Sequence, residues 1–100
     1  MKNLVIAEFP AQEGKLEDLK NLMRQALGDT RAFDGCISID VYIDDHSQTM
    51  HLIEDWESLD HYDKYLHWRL ETGLEELVKP IVEGGLEGVR IIKCGKKENI

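Results

Sequence analysis

The sequence predicts an α+β fold: one four-stranded antiparallel sheet with two main helices on one face, in the order β-α-β-β-α-β. Three observations predict it. Strand-like runs occupy residues 3–9, 36–43, 48–56 and 86–94, and helical apolar spacing occupies 15–31 and 58–72. The chain divides into two β-α-β halves of similar length. In the stretch Leu52-Ile53-Glu54-Asp55-Trp56-Glu57-Ser58-Leu59-Asp60, an apolar run ends in a tryptophan and a helix-capping serine follows two residues later. A strand therefore passes into a helix with almost no loop, and a large indole is fixed at the corner.

Each element has its own cause. In the first strand Leu4 and Ile6 lie on one face and Val5, Ala7 and Phe9 on the other, a strand covered on both sides, and Pro10 ends it. Gly14 leads into a helix from about Lys15 to Arg31, whose stripe is Leu16, Leu19, Met23, Ala26 and Leu27. Asp34-Gly35 is a turn. In the second strand Ile37, Ile39, Val41 and Ile43 share one face, and Cys36, Ser38, Asp40 and Tyr42 the other. The polar turn Asp44-Asp45-His46-Ser47 makes a hairpin with the third strand, Gln48 to Trp56. The second helix runs from Ser58 to about Thr72, where Gly73 kinks or stops it, and a shorter helix spans Leu74 to Val82. Gly84-Gly85 is a loop, and Leu86 to Cys94 is the last strand.

This order is the split β-α-β, or ferredoxin-like, arrangement. One domain of 100 residues is expected, with an ordered core over about 3–95. The helices cover one face of the sheet, yet the other face also carries apolar residues. A homodimer packed sheet against sheet is the economical solution.

Composition narrows the function. The net charge of −8, from 20 acidic against 12 basic residues, disfavours nucleic acid and anionic membranes. Lys93, Lys96 and Lys97 are the only basic cluster. No apolar run is long enough to span a bilayer and no secretory signal is seen, so a cytoplasmic location is expected, with Cys36 and Cys94 as free thiols. Phosphate loops, nucleophile elbows and zinc-spaced histidine pairs are absent, so no metal is expected.

Helical geometry sorts the candidate site residues. Leu59, Tyr62, Leu66, Leu70 and Gly73 form the buried stripe of the second helix, with Arg69 beside it. A permanent charge there either pairs with Glu54 or Glu71, the favoured reading, or serves a ligand. Glu54 shares the helix-covered face with Leu52 and Trp56, where a carboxylate must be paired or wetted. It is a general base with a raised pKa or, by preference, the partner of Arg69. His67 points away from the stripe, and His51 faces the expected partner sheet. His46 and His61 are expected in solvent. Tyr65 and Trp68 fall on a flank of the helix and read as an intersubunit contact.

The chain resembles the antibiotic biosynthesis monooxygenase family over nearly its whole length. The resemblance is carried by Val5-Ile6-Ala7-Glu8-Phe9, Glu13-Gly14-Lys15 at the head of the first helix, Asp34-Gly35-Cys36, and above all Glu54-Asp55-Trp56-Glu57-Ser58. It implies a small cytosolic homodimer, a dimeric α+β barrel, that oxidises quinol-like or polyphenolic compounds with molecular oxygen, commonly without metal or flavin. Some relatives degrade haem, with a His on the second helix, for which His67 is the candidate here. The resemblance also places the strand-end Trp56 and the helical Tyr62 around a pocket, whereas Leu52 stands where the best-understood oxygenases have an Asn. The expectation is thus a pocket between sheet and helices. Tyr62, Arg69 and Glu54 are its catalytic residues, Trp56, Leu52 and Leu66 bind substrate, and no cofactor is needed. The alternatives are a binding domain of the same fold without catalysis, or a haem degrader.

Overall fold

The computed structural model describes residues 2–100. The chain runs β1 (Asn3–Pro10), α1 (Leu16–Arg31), β2 (Cys36–Asp44), β3 (Thr49–Trp56), α2 (Leu59–Glu71), α3 (Leu74–Val78) and β4 (Arg90–Lys96), with a 3-10 turn at Gly85–Gly88 before the last strand. The strands form one sheet in the order β2-β3-β1-β4, with every neighbouring pair antiparallel. This is the ferredoxin-like α+β arrangement that the residue pattern predicts. None of the described helices is long and apolar enough to cross a membrane.

Period-two alternation decides what β1 and β3 bury. Val5, Ala7 and Phe9 point under the helices, as do Met50, Leu52, Glu54 and Trp56. Leu19, Met23 and Leu27 of α1 and Tyr62 of α2 close over them. The buried side chains fall into two groups. One is aromatic, with Val5, Trp56 and Tyr62 backed by Phe33 and Tyr65. The other is mainly aliphatic and joins Ala7, Phe9, Leu27, Met50, Leu52, Val78 and Val82.

The β3–α2 corner forms as its sequence dictates. β3 ends at Trp56, and Ser58 caps α2 by accepting a 3.1 Å hydrogen bond from the His61 backbone N–H. Asn3 of the neighbouring strand donates its amide to the Trp56 and Glu57 carbonyls at 3.3 and 3.0 Å, pinning the corner from below. Gly73, at φ +102°, stops α2.

Three sequence expectations are corrected. The inward face of β2 is broken by a bulge between Cys36 and Ser38, which turns Cys36 toward both cores. Of the four expected inward residues only Ile39 is buried. Ile37 and Val41 are 41% and 39% exposed, because β2 is an edge strand that α1 covers only in part. The short helix ends at Val78 instead of Val82. Pro80 has no N–H to continue it, and the chain turns to run beside Gln12, whose side chain donates to the Lys79 and Val82 carbonyls at 3.1 Å. The last strand starts at Arg90 because Leu86 sits in the 3-10 turn, packed against the core. Pro10, expected to end the first strand, is its last paired residue, opposite Thr49.

Candidate active site

A cavity of about 260 Å³ opens beneath the helices, lined by residues of both the aromatic and the aliphatic groups. Its wall is mostly apolar. The polar exceptions are Thr30, Glu54, Tyr62, Tyr65 and Arg69, brought there by α1, β3 and α2. The cavity therefore collects Glu54, Tyr62, Arg69, Leu52 and Leu66, five of the six residues that the sequence points to.

Glu54 is 3% exposed. Its only hydrogen-bond partner among the described residues is the Trp56 indole, whose Nε1 donates to Oε1 at 2.9 Å. Burial penalises the carboxylate more than this one bond stabilises it, so the pKa is pushed up from 4.5 to about 7. Tyr62 is 2% exposed, and its phenol pKa is raised by burial and by the neighbouring Glu54 charge. It stays protonated at neutral pH. Its hydroxyl has no hydrogen-bond partner among the described residues, so it can donate to a ligand.

The expected Glu54–Arg69 pair does not form, and Glu71 is engaged instead by His67 at 2.8 Å on the surface. Arg69 reaches across to α1. Its Nε donates to Tyr65 Oη at 2.9 Å, and Nη2 donates to the Ala26 carbonyl at 2.7 Å and to Thr30 Oγ1 at 2.9 Å. Tyr65 Oη and Thr30 Oγ1 lie 2.8 Å apart. Either hydroxyl can donate in that bond, and Thr30 Oγ1 also lies 3.4 Å from the Ala26 carbonyl, a second acceptor for its proton. The guanidinium also lies over the Trp68 ring, 4.7 Å from its centroid. It forms no ion pair among the described residues, and every hydrogen bond it makes is to a neutral oxygen. A half-buried cation with no counter-charge faces the cavity.

Trp56 does not line the cavity. It is wholly buried behind the wall, with ring centroids 5.5 Å from Tyr62 and 5.2 Å from Tyr65, and it acts by holding Glu54. Tyr65 and Trp68, read as an intersubunit flank, pack within their own chain against Phe33, each with centroids 5.4 Å away. Tyr65 and Thr30 are site residues that the sequence reasoning missed. Thr30 at a buried position of α1, four residues after Ala26, was the available signal. His67 is exposed and lies outside the cavity, so it cannot serve a ligand there. His61 is not free in solvent: its ring packs over Gly35, with Nε2 3.8 Å from both Asp34 and Glu57. His51 faces away from the helices as expected, 3.1 Å from Glu8.

Fold and cavity together define a ferredoxin-like domain with a small-molecule-sized internal site. The chain belongs to the antibiotic biosynthesis monooxygenase family, whose model matches residues 4–68. Solved structures share the fold. A protein from Shewanella oneidensis superimposes with a TM-score of 0.79 at 18% identity, covering 95% of this chain and 90% of that one. One from Pseudomonas aeruginosa gives 0.74 at 22% identity, with 97% and 95% covered. The crystal structure of an antibiotic biosynthesis monooxygenase gives 0.72 at 19% identity, with 90% and 93% covered. At these identities the likeness speaks for the fold alone. No curated protein matches the sequence.

Proposed function

We propose that this domain is a monooxygenase that oxidises a quinol or another small electron-rich aromatic compound with molecular oxygen, through its own residues and without a cofactor. One observation carries the reading: a carboxyl group poised near neutrality and a cation without a counter-charge line the same apolar cavity. The carboxylate of Glu54 takes a phenolic proton, and Arg69 stabilises the phenolate. Tyr62, held protonated, donates a hydrogen bond to a substrate oxygen. The apolar wall strips water from the anion, which raises its tendency to give electrons to oxygen. Quinol plus O2 gives a hydroxylated quinone plus water. The substrate supplies all four electrons, so atoms and electrons balance without another reductant.

The active unit in this proposal is a homodimer packed sheet on sheet, in a reducing cytoplasm where Cys36 and Cys94 stay thiols. The outer face supports it: Ile6 pairs with Ile53 on one side and Ile92 on the other, a half-buried apolar row on the face away from the helices. A binding role without turnover is the second reading. It is favoured by Leu52, an aliphatic wall residue that offers no amide to orient a phenolate. Aerobic incubation with a reduced menadiol-type quinol separates the two. The expected result is oxygen uptake and quinone formation above the protein-free rate, reduced at least about a hundredfold by Glu54→Gln. Quinol binding with no gain over the protein-free rate would leave the domain a binder.

A further inference from the structure

We infer that the ligand is an amphiphile: a hydroxylated aromatic head that carries a flexible aliphatic tail, with the head between Glu54 and Arg69 and the tail toward α3. This deepens the reading above and rests on it for the head group alone. Polarity is not spread evenly round the cavity. Along the paired strands, Glu54 stands opposite Val5, Leu52 opposite Ala7, and Met50 opposite Phe9. The carboxyl thus marks one end, and Phe9, in the wall, lies roughly 13 Å further along β1. The helical layer repeats the gradient. On α1 the wall changes from Thr30 to Leu22 over about 12 Å, and past Arg69 the chain adds Leu74 and Leu77.

A compact quinol without a tail would leave the aliphatic half unfilled, and its lining would lose contacts that only an apolar guest can restore. The rim agrees with a tail that runs outward. Leu70 and Leu77 line the cavity while 45% and 43% exposed. An aliphatic chain passing between them covers leucine that otherwise faces water.

A series of redox-inert 4-alkylphenols, ethyl to octyl, titrated against the full chain by tryptophan fluorescence and calorimetry, tests this. Affinity is expected to rise about fourfold per added methylene until the chain end passes the rim. Leu77→Glu and Leu70→Glu should each flatten that slope, and Arg69→Met should weaken every member alike. An affinity that is flat, or that falls with the first added methylenes, would overturn the tail. So would failure of every member to bind, or a slope unmoved in both leucine variants. Because these phenols report binding without oxidation, a missing quinol oxidase activity would sink the reaction and leave the tail standing. A flat series beside intact quinol turnover would do the reverse.

Discussion

Glu54 makes the stability of the domain depend on pH below neutrality. Its folded-state pKa is raised from 4.5 to about 7, so the folded chain holds the proton more tightly than the unfolded chain. Its contribution to stability is therefore greatest at low pH, falls as pH rises through 4.5 to 7, and is fully lost above that range. The difference amounts to about 3 kcal/mol. Urea unfolding of wild type and Glu54→Gln should give matching stabilities near pH 4.5. At pH 8 the glutamine variant should be more stable by about that amount, although it lacks the base. A second residue-scale expectation concerns Tyr65. Tyr65→Phe removes the acceptor of Arg69 Nε and the hydrogen bond shared with Thr30, so it should cost about 1 kcal/mol in the same assay. It should also weaken phenolate binding, because Arg69 loses one of its anchors. Sequence periodicity placed Glu54 and Arg69 near a common cavity. It could not choose their partners, because two of the three oxygens that Arg69 binds belong to α1, 39 and 43 residues earlier in the chain. A nearby carboxylate is the simplest partner to guess, but helix crossing supplied neutral acceptors instead.

The β3–α2 corner is the element on which the site depends. Ser58 caps the helix that carries Tyr62, Tyr65 and Arg69. Ser58→Ala should cost about 1 kcal/mol, or about 4–8 °C in Tm by calorimetry. Gly35 is held more tightly. It sits at φ +90°, the His61 ring occupies the place of a side chain, and its carbonyl accepts from Glu57 N–H at 2.8 Å. Gly35→Ala should therefore cost more than Ser58→Ala in the same scan. The corner was legible because capping and strand termination are written in neighbouring residues. The β2 bulge was not. Alternation through Ile37, Ile39, Val41 and Ile43 reads as one clean face, and a one-residue insertion in the pairing leaves no trace in that pattern. The early end of α3 had a trace in Pro80, but the turn itself is stabilised by Gln12, far away in sequence.

At the scale of the molecule, the cavity is lined by residues of both hydrophobic groups beneath the helices. The fold class, the sheet and the helix-covered face all followed from the two periods in the sequence. The periods alone do not specify the cavity, which the family resemblance implied, since a void is set by how side chains from β1, α1, β3, α2, α3 and β4 fit in space. The half-buried outer row of Ile6, Ile53 and Ile92 belongs to this scale too. Sedimentation should give twice the 11.5 kDa chain mass for wild type and a single-chain mass for Ile53→Lys, which puts a charge in the middle of the proposed seam. A wild type that sediments as one chain at high concentration would remove the sheet-on-sheet dimer.

The chemistry stands on a buried carboxyl that exchanges its proton near neutrality. A carbon-13 NMR titration of glutamate side-chain carboxyls, with Glu54 assigned by its absence in Glu54→Gln, reads this directly. One resonance should titrate with a midpoint of about 7 and vanish in the variant. A Glu54 resonance that titrates near 4.5, like a solvated glutamate, would mean that no base is poised in the cavity that Arg69 lines.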